Sequence, residues 1–217
     1  MREGSLEAPK RHPIDWQNPD YLDPAKIEAE MHRVFDICHG CRRCFNLCDS
    51  FPRLFDLIDA SPTGELDGVD AKDFDAVTDA CTLCDMCYMT KCPYVPPHEF
   101  NLDFPHLMLR ARAAEFARGE VGVADQQIAQ TDRNNGLAGL VAPIVNWMTS
   151  TENTTARVAM EMIGGVHRDA VLPPFAFNPL TRRALSKPVR NLEAPAAERR
   201  VVIYATCFGN QNMPQIG

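Results

Sequence analysis

Residues 38–48 read CHGCRRCFNLC and residues 81–93 read CTLCDMCYMTKCP, and the spacing of their cysteines decides how the chain is built. In the first run Cys38, Cys41 and Cys44 are separated by two residues each, and Cys48 follows after three more. In the second, Cys81, Cys84 and Cys87 repeat that spacing, Cys92 follows after four residues, and Pro93 closes the run. Three thiolates so spaced can wrap one face of a cuboidal iron–sulfur cluster, while the fourth sits on the following turn, points away and reaches a different cluster. Two such runs are the pattern expected of a ferredoxin-like chain with two [4Fe–4S] clusters. Under that rule Cys38, Cys41, Cys44 and Cys92 form one ligand set, and Cys81, Cys84, Cys87 and Cys48 the other.

Other uses of these thiols fit the spacing less well. Structural zinc takes its ligands as two separated pairs, often with histidine, and each triplet here would leave a surplus thiol beside a filled site. A disulfide framework belongs to an oxidising compartment and usually to a small secreted chain. The amino-terminal MREGSLEAPKRHPIDW carries no apolar core of a secretory signal. The cysteine usage points to a reducing, cytoplasmic setting, with the inner face of a membrane as a peripheral alternative.

The 217 residues allow one domain or two, and 45% hydrophobic content suffices for a packed core. Seventeen prolines and twelve glycines imply many breaks between elements. A formal charge of −7 argues against a nucleic-acid surface, which needs a clustered basic face. No run of about 20 apolar residues is present, so no transmembrane helix is expected.

Along the chain, residues 1–22 read as an extended polar arm. Asp23-Pro24 is a helix start, a capping acceptor followed by proline at the first helical position. Ile27, Met31, Val34 and Cys38 then recur at helical spacing and deliver the chain into the first cysteine run. A short helix is expected at Arg53–Asp59, turns at SPTGELDG, and a second short helix over Asp73–Ala80, whose stripe Phe74, Val77, Cys81 leads into the second run. YVPPHEF is held extended by its prolines. A helix follows over Phe104–Arg118, with Gly119 as its C-cap. No ordinary strand is expected between Cys38 and Arg118, so residues 23–120 read as an α-helical ferredoxin domain rather than a βαβ-repeat one. The 32-residue spacer between Cys48 and Cys81 agrees with that.

Residues 121–198 read as a helical connector, with the apolar segment GLAGLVAPIVNWM (136–148) broken at Pro143, a further helix carrying Val158, Ala159, Met162 and Ile163, and prolines 173, 174, 179, 188 and 195 marking linker. Residues 199–217 change character. Val201–Ala205 is a short apolar, β-branched run of the kind found in buried parallel strands, ending in a turn at Thr206–Asn210. A lone parallel strand forms no sheet, so this stretch reads as the isolated first strand of a further α/β domain that the chain does not complete.

Several residues beside the ligands carry two readings. Arg42, Arg43 and Lys91 either tune a cluster's potential or are solvated loop charges. His39 is a ligand candidate that four available cysteines make unnecessary. His98 and His106 read as hydrogen-bonded structural histidines, with proton transfer to a quinone as the sharper alternative. Segment 136–148 either packs against the rest of the chain or rests on a membrane with Trp147 at its boundary, although it is poor in Lys and Arg. Cys207 is a lone thiol, read either as a small buried hydrophobe or as a candidate ligand of an incomplete third site.

The two cysteine runs, the following VPPHEFNLDFPHLMLRARA and the stretch VVIYATCFGN resemble bacterial iron–sulfur oxidoreductases. The members they resemble are related to the iron–sulfur component of anaerobic glycerol-3-phosphate dehydrogenase and to heterodisulfide reductase. The resemblance implies an α-helical ferredoxin domain followed by cysteine-rich domains, with electrons passing from a flavin dehydrogenase or similar partner to quinone or a disulfide. It aligns Cys207 with the opening cysteine of the first cysteine-rich domain, whose later paired cysteines this chain lacks. Asp49 stands where such runs often carry proline, and the four-residue last spacing of the second run implies a bulged loop. An electron-transfer component of an oxidoreductase is the function expected. A reductase catalysing its chemistry in cysteine-rich domains beyond residue 217, and a zinc-stabilised interaction module, are the alternatives.

Overall fold

The computed structural model describes residues 4–186, 191–195, 197–200 and 202–217, with the side chain of Lys91 excepted. The polypeptide divides into two compact units, the first ending at Glu120 and the second starting at Val121. Both are mainly helical, and no strand occurs among the described residues.

The first unit is built on four helices. Helix α1 (Pro24–Cys41) starts where its sequence signal lies, with the Asp23 carboxylate accepting the backbone N–H groups of Ala25 and Lys26. Ile27, Met31, Val34 and Phe35 form its buried stripe. The helix runs through Cys38 to Cys41 before Arg42 adopts a left-handed conformation (φ 50°) and returns its N–H to the Cys38 carbonyl. The first cysteine triplet is therefore not one loop. Cys38 and Cys41 share a face of the last turn of α1, because residues three apart on a helix are neighbours.

Helix α2 (Ser50–Asp59) buries Phe51, Leu54, Phe55 and Ile58. Helix α3 (Asp75–Ala80) follows a tight turn at Ala71–Phe74, and the expected stripe of Phe74, Val77 and Cys81 is buried. Helix α4 (Phe104–Arg118) is capped by Asp103, which accepts the His106 N–H, and stops at Gly119 (φ 76°) as its sequence requires. Rings from three of these helices and the turn before α3 meet in the centre. Phe35 stands edge-on to Phe74 at 5.0 Å, and Phe51 lies 4.7 Å from Phe104. Polar ties complete the frame. The buried Ser50 hydroxyl donates to the Val77 carbonyl at 2.8 Å, joining α2 to α3.

The arm is extended through residues 4–15 and makes a helical turn at Pro19–Leu22. It is not loose: Ser5 N–H donates to the Pro93 carbonyl and Lys10 N–H to that of Pro96, so it lies along the segment following the second cysteine run.

The second unit comprises α5 (Val123–Ala129), α6 (Thr131–Leu140), α7 (Ala142–Thr149), α8 (Thr154–Gly164), α9 (Leu180–Leu185) and α10 (Cys207–Gln211). Helices α6 and α7 are the two halves of the apolar segment, separated at Val141 because Pro143 lacks an N–H and its ring disturbs the preceding turn. Of the two readings of this segment, inward packing of its large side chains does not hold. Leu137, Leu140, Val141, Ile144, Trp147 and Met148 are all exposed, at helical spacing, and the inward positions are the small Gly139 and Ala142. No described helix is long and apolar enough to cross a membrane. Few apolar side chains are buried in this unit. Its fully buried Arg157 donates instead to the carbonyls of His167, Arg168 and Ala170, fixing the loop after α8.

The expected strand at 201–205 is also corrected. Val201 lies outside the described residues, as do 187–190 with Pro188, and residues 202–205 are irregular with Val202, Ile203 and Tyr204 exposed. β-Branched composition alone makes no strand where no second backbone supplies hydrogen bonds. The turn beyond it does form. The Thr206 hydroxyl accepts the Gly209 N–H and starts α10 at Cys207.

The packing of the first unit makes a direct prediction. Phe35 is fully buried between Phe74 and Phe104. Phe35→Ala should cost about 3–5 kcal/mol, the usual penalty for deleting a buried aromatic ring. Thermal unfolding should show it as a lowered midpoint, and an unchanged midpoint would contradict this core.

Candidate metal centre

The two cysteine runs meet inside the first unit. After Arg42 reverses the chain, two successive turns (Phe45 N–H to Arg42 O and Leu47 N–H to Cys44 O) bring Cys44 back beside Cys38 and Cys41 and lead on to Cys48. The second run leaves α3 at Cys81 in extended conformation, passes two left-handed residues, Leu83 (φ 54°) and Asp85 (φ 61°), and enters a wide helical turn over Cys87–Lys91. In that turn the Cys92 N–H donates to the Cys87 carbonyl, five residues back. The extra residue of the second run is absorbed there, as one added residue in a helical turn produces this wider ring. The expected bulge is thus a π-type turn.

Cys38, Cys41 and Cys44 of the first run and Cys92 of the second line one small cavity, part of it open to solvent. Its remaining walls include Ile37, Phe51, Phe55, Tyr94 and Leu102. A second, adjoining small cavity is lined by Cys38, Cys44, Cys87 and Cys92 together with Tyr88, Phe104 and other apolar groups. Cys48 lies within electrostatic reach of Cys81 and of Cys87. Cys84 is exposed, and Cys207, also exposed, belongs to the other unit. Among the described residues no three His, Cys, Asp or Glu side chains converge closely enough to hold a single metal ion. The thiols stand around cavities instead, and a cuboidal cluster takes its thiolates at four different irons rather than at one point.

Electrostatics follow from crowding thiols in an apolar interior. Burial pushes the Cys38 thiol well up, and Cys92, Cys44, Cys41 and Cys87 add to the effect. Cys87 is pushed up to about 12 by burial and then by Cys44 and Cys81. Cys92 and Cys81 are raised chiefly by burial, with Arg43 opposing at Cys92 and Arg112 at Cys81. Unaided, such groups keep their protons at neutral pH. A bound cation reverses this logic, because a coordinating thiol gives up its proton outright.

The flanking residues separate into roles the sequence left open. Arg42 faces away from the thiols, pairing with Asp59, touching His39 Nδ1 at 2.9 Å and lying over the Phe55 ring. Arg43 lines the first cavity. His39 is engaged by Arg42 and by Glu65 at 3.4 Å, and takes no part in the thiol groups. The side chain of Lys91 lies outside the described residues. His98 accepts the Phe100 N–H and stacks edge-on to Tyr94, and His106 pairs with Asp103 at 3.1 Å. A larger open cleft, about 670 Å³, lies between the arm and α4 and includes His12, Tyr21, Glu30, His106 and Arg110. No cysteine lines it.

Two residues that sequence reading passed over hold the second run in place. From α4, one Arg112 nitrogen donates to the carbonyls of Thr78 (2.6 Å), Asp79 (3.1 Å) and Cys81 (2.7 Å), capping α3 where it delivers Cys81. From the arm, Arg11 donates to both oxygens of Asp85, between Cys84 and Cys87, and to both oxygens of Asp103 at the start of α4. Its guanidinium also lies 4.3 Å from the centre of the Tyr88 ring. Asp85 is held below its ordinary range by Arg11. A bidentate guanidinium suits this task, since it can address two carboxylates in one plane.

Arg11→Ala should therefore release the arm from the second run. Protease cleavage within residues 4–18 should accelerate markedly, while the thermal midpoint moves little because the pair is partly exposed. Unchanged cleavage would show that the backbone bonds at Pro93 and Pro96 suffice.

No family model, no curated protein and no solved structure matches this chain.

Proposed function

We propose that the chain is an iron–sulfur electron-transfer component, holding two [4Fe–4S] clusters in its first unit and passing electrons from a dehydrogenase-type partner toward a quinone or disulfide acceptor. The observation that carries this reading is the company Cys92 keeps. It comes from the second run but lines a cavity with the first run's three leading thiols, while Cys48 of the first run lies near Cys81 and Cys87 of the second. That exchange of fourth cysteines is the ligation pattern of two-cluster ferredoxins. When bound, such clusters accept and release single electrons. The polypeptide's part is to supply eight thiolates, exclude water with Phe51, Phe55, Leu102 and Phe104, and place positive charge at Arg43 near the Cys92 sulfur. Fixed charge and hydrogen bonds at the sulfurs favour the more anionic reduced state.

Cys84 is the exposed member of the second set, within electrostatic reach of Cys81, and the left-handed residues at 83 and 85 give its loop a sharp local path. The alternatives differ in what they require. A zinc-stabilised module needs tight tetrahedral sets, and the thiols here surround cavities instead. A catalytic reductase would carry its chemistry beyond residue 217, and the same first unit would then deliver electrons to it.

Protein purified without oxygen should be brown and contain about eight irons per chain, the sum of two clusters. In paramagnetic resonance, Cys48→Ser and Cys84→Ser should alter the same signal, and Cys92→Ser the other one. Zinc in place of iron would overturn the proposal, and different signals altered by Cys48→Ser and Cys84→Ser would overturn the crossed ligation.

A further inference from the structure

Tyr88 is the residue whose environment the fold leaves incomplete. It is 2% exposed, yet its hydroxyl finds no hydrogen-bond partner among the described residues. Leaving a buried hydroxyl without a partner is costly, so proteins keep one where something other than the polypeptide answers it. Tyr88 directly follows Cys87 and lines the cavity shared by Cys38, Cys44, Cys87 and Cys92. A protonated phenol offers one O–H donor, and a sulfur in that cavity is an acceptor within its reach. Cys92 is among the groups near enough to act on it.

The ring is also prevented from turning away. Arg11 covers it at 4.3 Å and is itself tied to Asp85 and Asp103. Both carboxylates are occupied by that guanidinium, and neither accepts from Tyr88. The comparison with Tyr94 is informative. That phenol lines the neighbouring cavity and is hydrogen-bonded to the Cys41 thiol. A tyrosine thus stands at each cavity, one with a sulfur partner in the polypeptide and one without.

We infer that the Tyr88 hydroxyl donates a hydrogen bond to sulfur of the group held by Cys38, Cys41, Cys44 and Cys92, and that Arg11 is the positioning residue that locks its ring there. The inference rests on the iron–sulfur reading above. Its consequence is a raised reduction potential, because a donor at sulfur stabilises the added electron's charge.

The test uses full-length protein purified without oxygen, with iron content measured beside a redox titration followed by paramagnetic resonance. Tyr88→Phe removes only the donor and keeps the ring. It should retain the parent's iron and shift one couple to lower potential by about tenfold in its equilibrium constant, ~59 mV for one electron. The shifted couple should be the one that Cys92→Ser alters, and Arg11→Gln should reproduce part of the shift. If both couples are unmoved with iron intact, the hydroxyl is satisfied by water and the inference fails. Loss of iron in Tyr88→Phe would assign the residue a structural role and also overturn it. A parent protein without iron would instead remove the underlying functional reading.

Discussion

Crowding thiols in an apolar interior is the constraint on which the first unit depends. Cys38, Cys81, Cys87 and Cys92 all hold their protons more tightly than a free thiol, with burial as the leading cause. Without a cation, this arrangement leaves protonated thiols against an apolar, largely water-excluded wall. On the proposed reading, a bound cluster would gain from that burial, which excludes water and strengthens its interactions with the thiolates. The surrounding architecture places those thiols. Helix α1 supplies Cys38 and Cys41 directly, Arg112 fixes the exit of α3 at Cys81, and Arg11 pins Asp85 within the second run. Even the odd spacing before Cys92 is accommodated by a wide turn that brings its N–H back to Cys87.

Much of this frame was legible in the sequence because its signals are local. Asp23-Pro24 and Gly119 mark helix ends through the chemistry of a cap and of a left-handed residue, and both ends lie there. The stripe Phe74, Val77, Cys81 encodes burial by periodicity and is buried. The mainly helical character followed from these signals together. What escaped depends on residues far apart in the chain. Arg11 lies 74 positions from Asp85 and 92 from Asp103, and nothing in LEAPKRHP announces that meeting. Arg112 reads as a solvated base on a helix until the carbonyls ending α3 are seen beside it. Tyr88 reads as one more aromatic in a loop.

The second unit fails differently, and the failure has a physical cause. Val201–Ala205 has strand composition, but its described part meets no neighbouring backbone and remains exposed. The 136–148 segment has the composition of a core helix, yet its large side chains face outward and its small ones inward. Composition reports what a segment would gain by burial. Whether a partner surface is present is a tertiary matter that periodicity alone does not encode.

On the iron–sulfur reading, the two centres adjoin rather than stand apart, since Cys87 of the second ligand set lines a cavity with Cys38, Cys44 and Cys92 of the first. The most direct measurement is paramagnetic resonance on protein reduced in steps until both centres carry an unpaired spin. Adjoining centres predict that the signal of the half-reduced protein broadens and splits on full reduction, through magnetic interaction of two nearby spins. Two signals that simply add, or a single one that never changes shape, would contradict it.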